Sequence, residues 1–323
     1  MKYHPHGSVL LITFRVEEGL LLLSNPLCQA IIKSCLARAL AVHPGFKISH
    51  IIVEGTHLHL LGVVDSPDDV PGFIKCFKTE SSHAFNIILG RRKRTIWCEG
   101  YDSPVVLTPL RAAVAIAYIY SNPTKDNLVD CIDEYPGVSS WGMFQRKDCS
   151  KLWQRLRRFH YQKLAPDSHN LRGYTKEAER LISNSKEAHP FTIYPNAWME
   201  AFGVSDQKAQ EDINARIVLR IRTLEARYKR VRERLGKKVP GRERLLSQPI
   251  NPSHLPQNYS GRRMWCLSEE RSLRKAFIEF LGKLMAEARQ VQRRWRIGEF
   301  SVPYPPGLYP PCMPKLVEPL LAQ

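Results

Sequence analysis

The stretch Ile51-Ile52-Val53-Glu54-Gly55-Thr56-His57-Leu58-His59-Leu60-Leu61 decides how this chain is read. It holds two apolar runs broken at Glu54-Gly55-Thr56, and so predicts two strands split by a turn. Side chains alternate faces along a strand, which puts His57 and His59 on one face and Leu58 and Leu60 on the other. Two imidazoles on one face, backed by an apolar one, make half of a metal site, because imidazole nitrogen suits several transition metals. The plainer reading is a pair of partly exposed strand histidines. The choice depends on what else in the chain could complete the site.

Upstream, residues 8–16 form an apolar, β-branched run that predicts a first strand. Ser24-Asn25-Pro26 is a helix start, a cap followed by proline in the first turn. Ile31, Ile32, Cys35, Leu36 and Leu40 are its apolar series, and Pro44-Gly45 ends it. Residues 47–53 and 57–64 are the second and third strands. Ser66-Pro67-Asp68-Asp69 opens a second helix that carries Val70, Phe73, Ile74 and Phe77 toward the core. Ile96-Trp97 and residues 102–107 suggest a returning strand. Thr108-Pro109 caps a further helix, which runs to about Asn122 where Pro123 is expected to stop it. The order β-α-β-β-α-β predicts an α+β fold, a ferredoxin-like split βαβ unit with an antiparallel sheet, over residues 1–145.

From residue 146 onward the texture is basic and mainly helical. Residues 151–161 are rich in Arg, Trp and Phe, and residues 174–188 read as a short polar helix or a linker. Residues 205–235 and 268–296 read as long helices, the second with Leu273, Phe277, Leu281, Leu284, Ala288, Val291 and Trp295 in a packing stripe. A Pro/Gly-broken basic connector, residues 236–260, lies between them. The tail from Phe300, with prolines at 303, 305, 306, 310 and 311, reads as extended chain lying against the surface.

Charge follows the same division. The 323 residues carry a net charge of +17, yet residues 1–150 hold 15 basic and 14 acidic side chains while the remainder holds 33 and 17. A nearly neutral half joined to a basic one suggests a chemical domain and a polyanion-binding region, and nucleic acid is the polyanion expected. No apolar run is long enough to span a membrane, and the basic helices lack a clean apolar face for lying on one. The N-terminus lacks the pattern of a signal peptide. Eight cysteines, at 28, 35, 76, 98, 131, 149, 266 and 312, form no C-x-x-C pair, and are expected to be reduced thiols of a cytosolic protein rather than zinc ligands or disulfides.

Few residues could carry chemistry. Tyr118 and Asn122 are four apart and share a helix face. The Asn122 amide oxygen could complete a metal site begun by His57 and His59, and Tyr118 would then stand one turn away. A phenol is a weak nucleophile at neutral pH, but a divalent cation can polarise the phosphoryl group it attacks. Tyr120 points elsewhere and reads as packing. His4-Pro5-His6 lacks a strand pattern and is set aside. Arg91-Arg92-Lys93-Arg94 falls in a loop, and is either a phosphate contact or a solvated turn.

His57-Leu58-His59, a basic helix-loop segment, Ile96-Trp97, Tyr118-Ile119-x-x-Asn122-Pro123 and Leu128-Val129-x(5)-Tyr135-Pro136-x-x-Ser139-Ser140 occur in that order, and the combination resembles the single-tyrosine HUH transposases. The nearer resemblance is to the REP-associated tyrosine transposases of bacteria, in which a Tyr-Ile-x-x-Asn-Pro helix end is characteristic. It covers about residues 8–145. One departure is Glu54-Gly55-Thr56, where the family usually has Pro-Asn or Pro-Glu before the first histidine. The likeness implies a metal-dependent single-strand DNA nuclease and strand-transferase acting on hairpin-forming repeat DNA. It implies His57, His59 and Asn122 as ligands of Mg²⁺ or Mn²⁺, and Tyr118 as the nucleophile that leaves a 5′-phosphotyrosine and a free 3′-hydroxyl. It also implies a cytoplasmic, nucleoid-associated protein, and leaves a monomer and a homodimer equally open. Two other readings stand beside it. A catalytically silent nucleic-acid-binding protein could keep the fold, and a hydrolase of small phosphate esters would use water in place of Tyr118.

Overall fold

Caps and apolar alternation set where each element begins. In the computed structural model, which describes residues 2–17, 24–92, 95–250 and 264–309, Lys2–Tyr3 forms a short strand (β1) and Val9–Arg15 the first long one (β2). Asn25 caps helix α1 (Pro26–Val42) by accepting from the Cys28 N–H at 3.0 Å, and Pro26 sits where no N–H is needed. Phe46–Val53 (β3) and His57–Val64 (β4) pair as an antiparallel hairpin, and helix α2 (Asp69–Ile88) follows. The returning strand is shorter than its sequence suggests. Only Val105–Val106 (β5) is regular, because Pro104 has no N–H to give, and isolated bridges at Asp102 and Trp97 carry the edge onward.

Helix α3 (Pro109–Lys125) opens on Thr108, whose hydroxyl accepts from the Arg111 N–H at 3.3 Å. It does not stop at Pro123, as the sequence predicts. The proline removes one hydrogen bond, but the helix continues, with the Asp126 N–H donating to the Asn122 carbonyl at 2.8 Å. The end comes at Asn127, held at φ +58°. The Asn127 N–H donates to Thr124 at 3.1 Å and the Leu128 N–H to Pro123 at 2.8 Å, the paired closure of a Schellman motif. Asn tolerates this left-handed backbone and a β-carbon-restricted residue does not. Asn127→Ala is therefore expected to lower stability by about 1 kcal/mol and Asn127→Gly to leave it nearly unchanged, read as urea midpoints at constant slope.

The chain continues through α4 (Trp141–Arg146), β6 (Ser150–Gln154), α5 (Leu171–Ser183), β7 (Ala188–Thr192), α6 (Ala197–Ala201), α7 (Gln207–Arg234), α8 (Gly241–Leu246), β8 (Cys266–Leu267), α9 (Arg271–Arg296) and β9 (Leu308–Tyr309). Sequence reading does not anticipate the antiparallel β6–β7 ribbon, in which Pro190 sits opposite Leu152. A proline is tolerated there because the ribbon has only two strands. The tail prolines at 303, 305 and 306 lead into β9, which pairs with β1, while those at 310 and 311 and Cys312 lie outside the described residues. The seven other cysteines are unpaired thiols.

The main sheet has the order β3–β4–β2–β5–β8. It is mixed, which corrects the expectation of an antiparallel sheet. β3, β4, β2 and β5 are antiparallel neighbours, but β8 adds to β5 in parallel, a strand delivered from far along the chain. Helices cover both faces. Leu10, Ile12, Phe14, Leu58 and Leu60 face α1 and α2, while Leu61 and Val63 face α3, behind which Ile217 and Ile221 of α7 pack. No helix among the described residues is long and apolar enough to cross a membrane.

Candidate metal and nucleophile site

Strand parity decides which β4 side chains meet α3. His57 and His59 share their face with Leu61 and Val63, so both rings point toward the helix that carries Tyr118 and Asn122. They are not partly exposed. His57 is 9% and His59 5% accessible, and their rings stand edge to face with centroids 4.7 Å apart. Across the sheet, His59 pairs with Thr13, whose hydroxyl lies 2.8 Å from its Nδ1. Thr56 Oγ1 is 3.2 Å from His57 Nδ1. With each Nδ1 engaged by a hydroxyl, the Nε2 atoms are the ones turned to the site.

Helix periodicity supplies the other wall. Tyr118, Asn122 and Lys125 stand at i, i+4 and i+7, one stripe of α3. The half-buried Tyr118 ring packs edge-on against His59 at 5.4 Å. Asn122 is fully buried, with Nδ2 3.1 Å from His57 Nε2. Its Oδ1 accepts from Lys125 Nζ at 3.1 Å, and Lys125 also lies 5.4 Å from the Tyr118 ring centre and 3.0 Å from Asp126 Oδ1. Tyr120 is fully buried, its hydroxyl 2.8 Å from both His50 Nδ1 and Ser140 Oγ. Arg91 and Arg92 follow α2 in irregular chain, and Lys93 and Arg94 lie outside the described residues.

Glu54 is the residue that sequence reading passes over. It sits in the β3–β4 turn, is 1% accessible, and neither carboxylate oxygen has a hydrogen-bond partner. One oxygen lies 3.8 Å from His57 Nε2. Donor atoms of Glu54, His57 and Asp126 all fall within 4.8 Å of one another, and His59 Nε2 is also buried without a partner. A buried carboxylate and a buried imidazole nitrogen left unpartnered are costly unless something outside the chain satisfies them. A divalent cation would, and this nitrogen-and-oxygen donor set fits one. Burial, reinforced by the Asp126 charge, pushes the Glu54 carboxyl up to about 8. Burial lowers His57 to about 4 and His59 well below its ordinary value, so both imidazoles are neutral and fit to ligate. Burial also raises the Tyr118 phenol, an effect that the Lys125 charge opposes. Glu54 was visible only as a departure inside a turn. Lys125 was visible as an i+7 partner of Tyr118, but reading Pro123 as a stop removed it from the helix.

The sequence matches no protein-family model and no curated protein. Among solved structures, the chain is similar to a REP-associated tyrosine transposase bound to a REP hairpin. The identity is 19% and the TM-score 0.37, over 46% of this chain and 85% of that one.

Proposed function

We propose that the chain is a metal-dependent single-strand DNA endonuclease and strand-transferase that acts on hairpin-forming DNA through Tyr118. One observation carries the reading: a tyrosine ring lies against a histidine whose buried nitrogen is unpartnered, beside a buried carboxylate that is also unpartnered. Each orphaned polar atom destabilises the fold unless a ligand satisfies it. Metal-assisted phosphoryl transfer to a tyrosine would use all three groups. The strand order β3–β4–β2–β5, with α1 and α2 as crossovers on one face, supports the split βαβ reading of this half.

In this reading His57, His59 and Glu54 would hold the Mg²⁺ or Mn²⁺, with the Asn122 carboxamide as a further ligand. The chemistry supplied by a bound cation is polarisation of the phosphoryl group under attack. Tyr118 Oη attacks the phosphorus. The Oη–P bond forms as the P–O3′ bond breaks, the phenolic proton passes to solvent, and the departing 3′ oxygen takes a proton from solvent to become a hydroxyl. Lys125 favours the phenolate that burial disfavours, and so positions charge where the attack needs it. The link formed is a 5′-phosphotyrosine, and attack by a 3′-hydroxyl reverses it. The basic residues 146–323 would hold the DNA backbone.

The test is direct. Single-stranded hairpin oligonucleotides incubated with the protein and Mn²⁺ should give a protein–DNA adduct that survives denaturing electrophoresis and disappears with a chelator. DNA binding with no adduct under any metal would favour the silent binding protein. Turnover of small phosphate esters with no adduct would favour the hydrolase.

A further inference from the structure

A cavity of about 510 Å³ opens directly on the donor cluster. The buried Glu54 and His57 and the exposed Asp126 line it from the donor cluster, and Arg244, Leu245 and Pro249 form its outer wall. The outer wall comes from α8 and the residues just after it, more than a hundred positions beyond the β3–β4 turn, yet both its ends are fixed to the catalytic half. The Gly241 N–H donates to the Leu128 carbonyl at 3.3 Å, and Asn25 Nδ2 donates to the Gln248 carbonyl at 3.3 Å. Leu245 is buried among side chains that also pack α3 and α7. The wall is therefore held in place rather than laid loosely over the site.

Arg244 is exposed, and among the described residues its guanidinium has no hydrogen-bond or ion-pair partner. In α7, by contrast, Arg222 pairs with Asp133 and Glu225, and Arg232 pairs with Asp130. An exposed cation without a partner, lining the same cavity as the buried Glu54 and His57, has the chemistry to hold an anion while the donor cluster holds a cation. The volume is within the range of small-ligand sites and suits one nucleotide. Pro249, which is exposed, offers an apolar surface for a base.

We propose that this cavity receives the nucleotide next to the cleaved bond, with Arg244 on its phosphate and its base against Pro249. The proposal rests on the reading of the site as a DNA strand-transferase. It makes the basic half of the chain a direct contributor to the cleft and to the choice of flanking sequence.

The test uses the full chain and hairpin oligonucleotides with randomised single-stranded flanks, compared with the same hairpins ending flush, at one fixed salt concentration. Binding is measured by fluorescence anisotropy without chemistry, and adduct formation is measured separately. The unsubstituted protein should prefer flanked over flush hairpins. Arg244→Ala should shrink that preference roughly tenfold, the scale of one charge-assisted contact, and Arg244→Lys should recover part of it. Arg216→Ala, an exposed α7 arginine that does not line the cavity, should weaken both hairpins alike. Flanks made abasic should keep the Arg244 effect and lose sequence preference. An equal loss on flanked and flush hairpins in Arg244→Ala, or no preference for flanks in the unsubstituted protein, would overturn the proposal while adduct formation leaves the wider reading intact. Absence of adduct from every hairpin would overturn the wider reading, and this proposal with it.

Discussion

A Tyr118→Phe chain is expected to form no covalent adduct with hairpin DNA in the presence of Mn²⁺, and its strand cleavage should fall by roughly 10⁴-fold or more, as when a covalent nucleophile is removed. The substitution deletes one oxygen and leaves the ring that packs on His59, so the sheet and the donor cluster keep their support. Binding of the same hairpin should be nearly unchanged, which separates loss of chemistry from loss of fold. Tyr120→Phe is the informative contrast, only two residues away. It strips a hydroxyl from the buried His50–Tyr120–Ser140 network, and should cost about 1–3 kcal/mol of stability while adduct formation persists. If Tyr118→Phe still forms an adduct and Tyr120→Phe does not, the nucleophile has been assigned to the wrong tyrosine.

The second large effect is thermal. Without metal, the folded protein holds a proton on Glu54 up to about pH 8, whereas an unfolded glutamate releases it near 4.5. Between those values the folded state binds more protons than the unfolded one, so metal-free stability falls as pH rises, by up to about 1.4 kcal/mol per unit. His57 acts in the opposite sense. Lowered to about 4 from 6.5, it makes stability fall as pH drops through that window, and His59 adds to this. Together the three groups put their joint contribution at its maximum near pH 6.5. A bound cation replaces the Glu54 proton and removes the alkaline loss. The rise in Tm caused by saturating Mn²⁺ should therefore grow by several degrees between pH 6 and pH 8. Glu54→Gln should flatten that growth and weaken Mn²⁺ binding. A Mn²⁺ shift independent of pH and equal in both chains would remove Glu54 from the ligand set.

These expectations show which features a sequence can disclose. The facing of His57 and His59 follows from β4 alternation, and that of Tyr118 and Asn122 from helical spacing, because each is a short-range geometric rule. The caps at Asn25 and Thr108 are local chemistry of the same kind. What stayed hidden depends on distance. Glu54 becomes a candidate ligand only once its burial without a partner is seen. Arg244 is one arginine among many until Gly241 and Gln248 tie its segment to the half that carries the histidines and Tyr118. The two residues of β8 are too few to show any periodicity, so nothing in Cys266-Leu267 announces a strand. Pro123 misled because a rule about where helices stop does not see the Schellman closure that lets this one run a turn longer.

That fifth strand has a consequence for how the chain is made. β8 joins β5 beside a contact, Thr108 with Glu269, that spans 161 residues of sequence. During synthesis β5 emerges first, and its outer edge waits unpaired while those residues are added, about 8 to 30 s at ribosomal rates. An open strand edge is a template for pairing with another chain. The nascent protein is thus most exposed to self-association after residues 1–145 have appeared and before residue 267 leaves the ribosome. A ribosome stalled in that interval before residue 244 emerges would hold a chain with the histidines and the tyrosine in place, an unfinished sheet and no outer wall to the cleft.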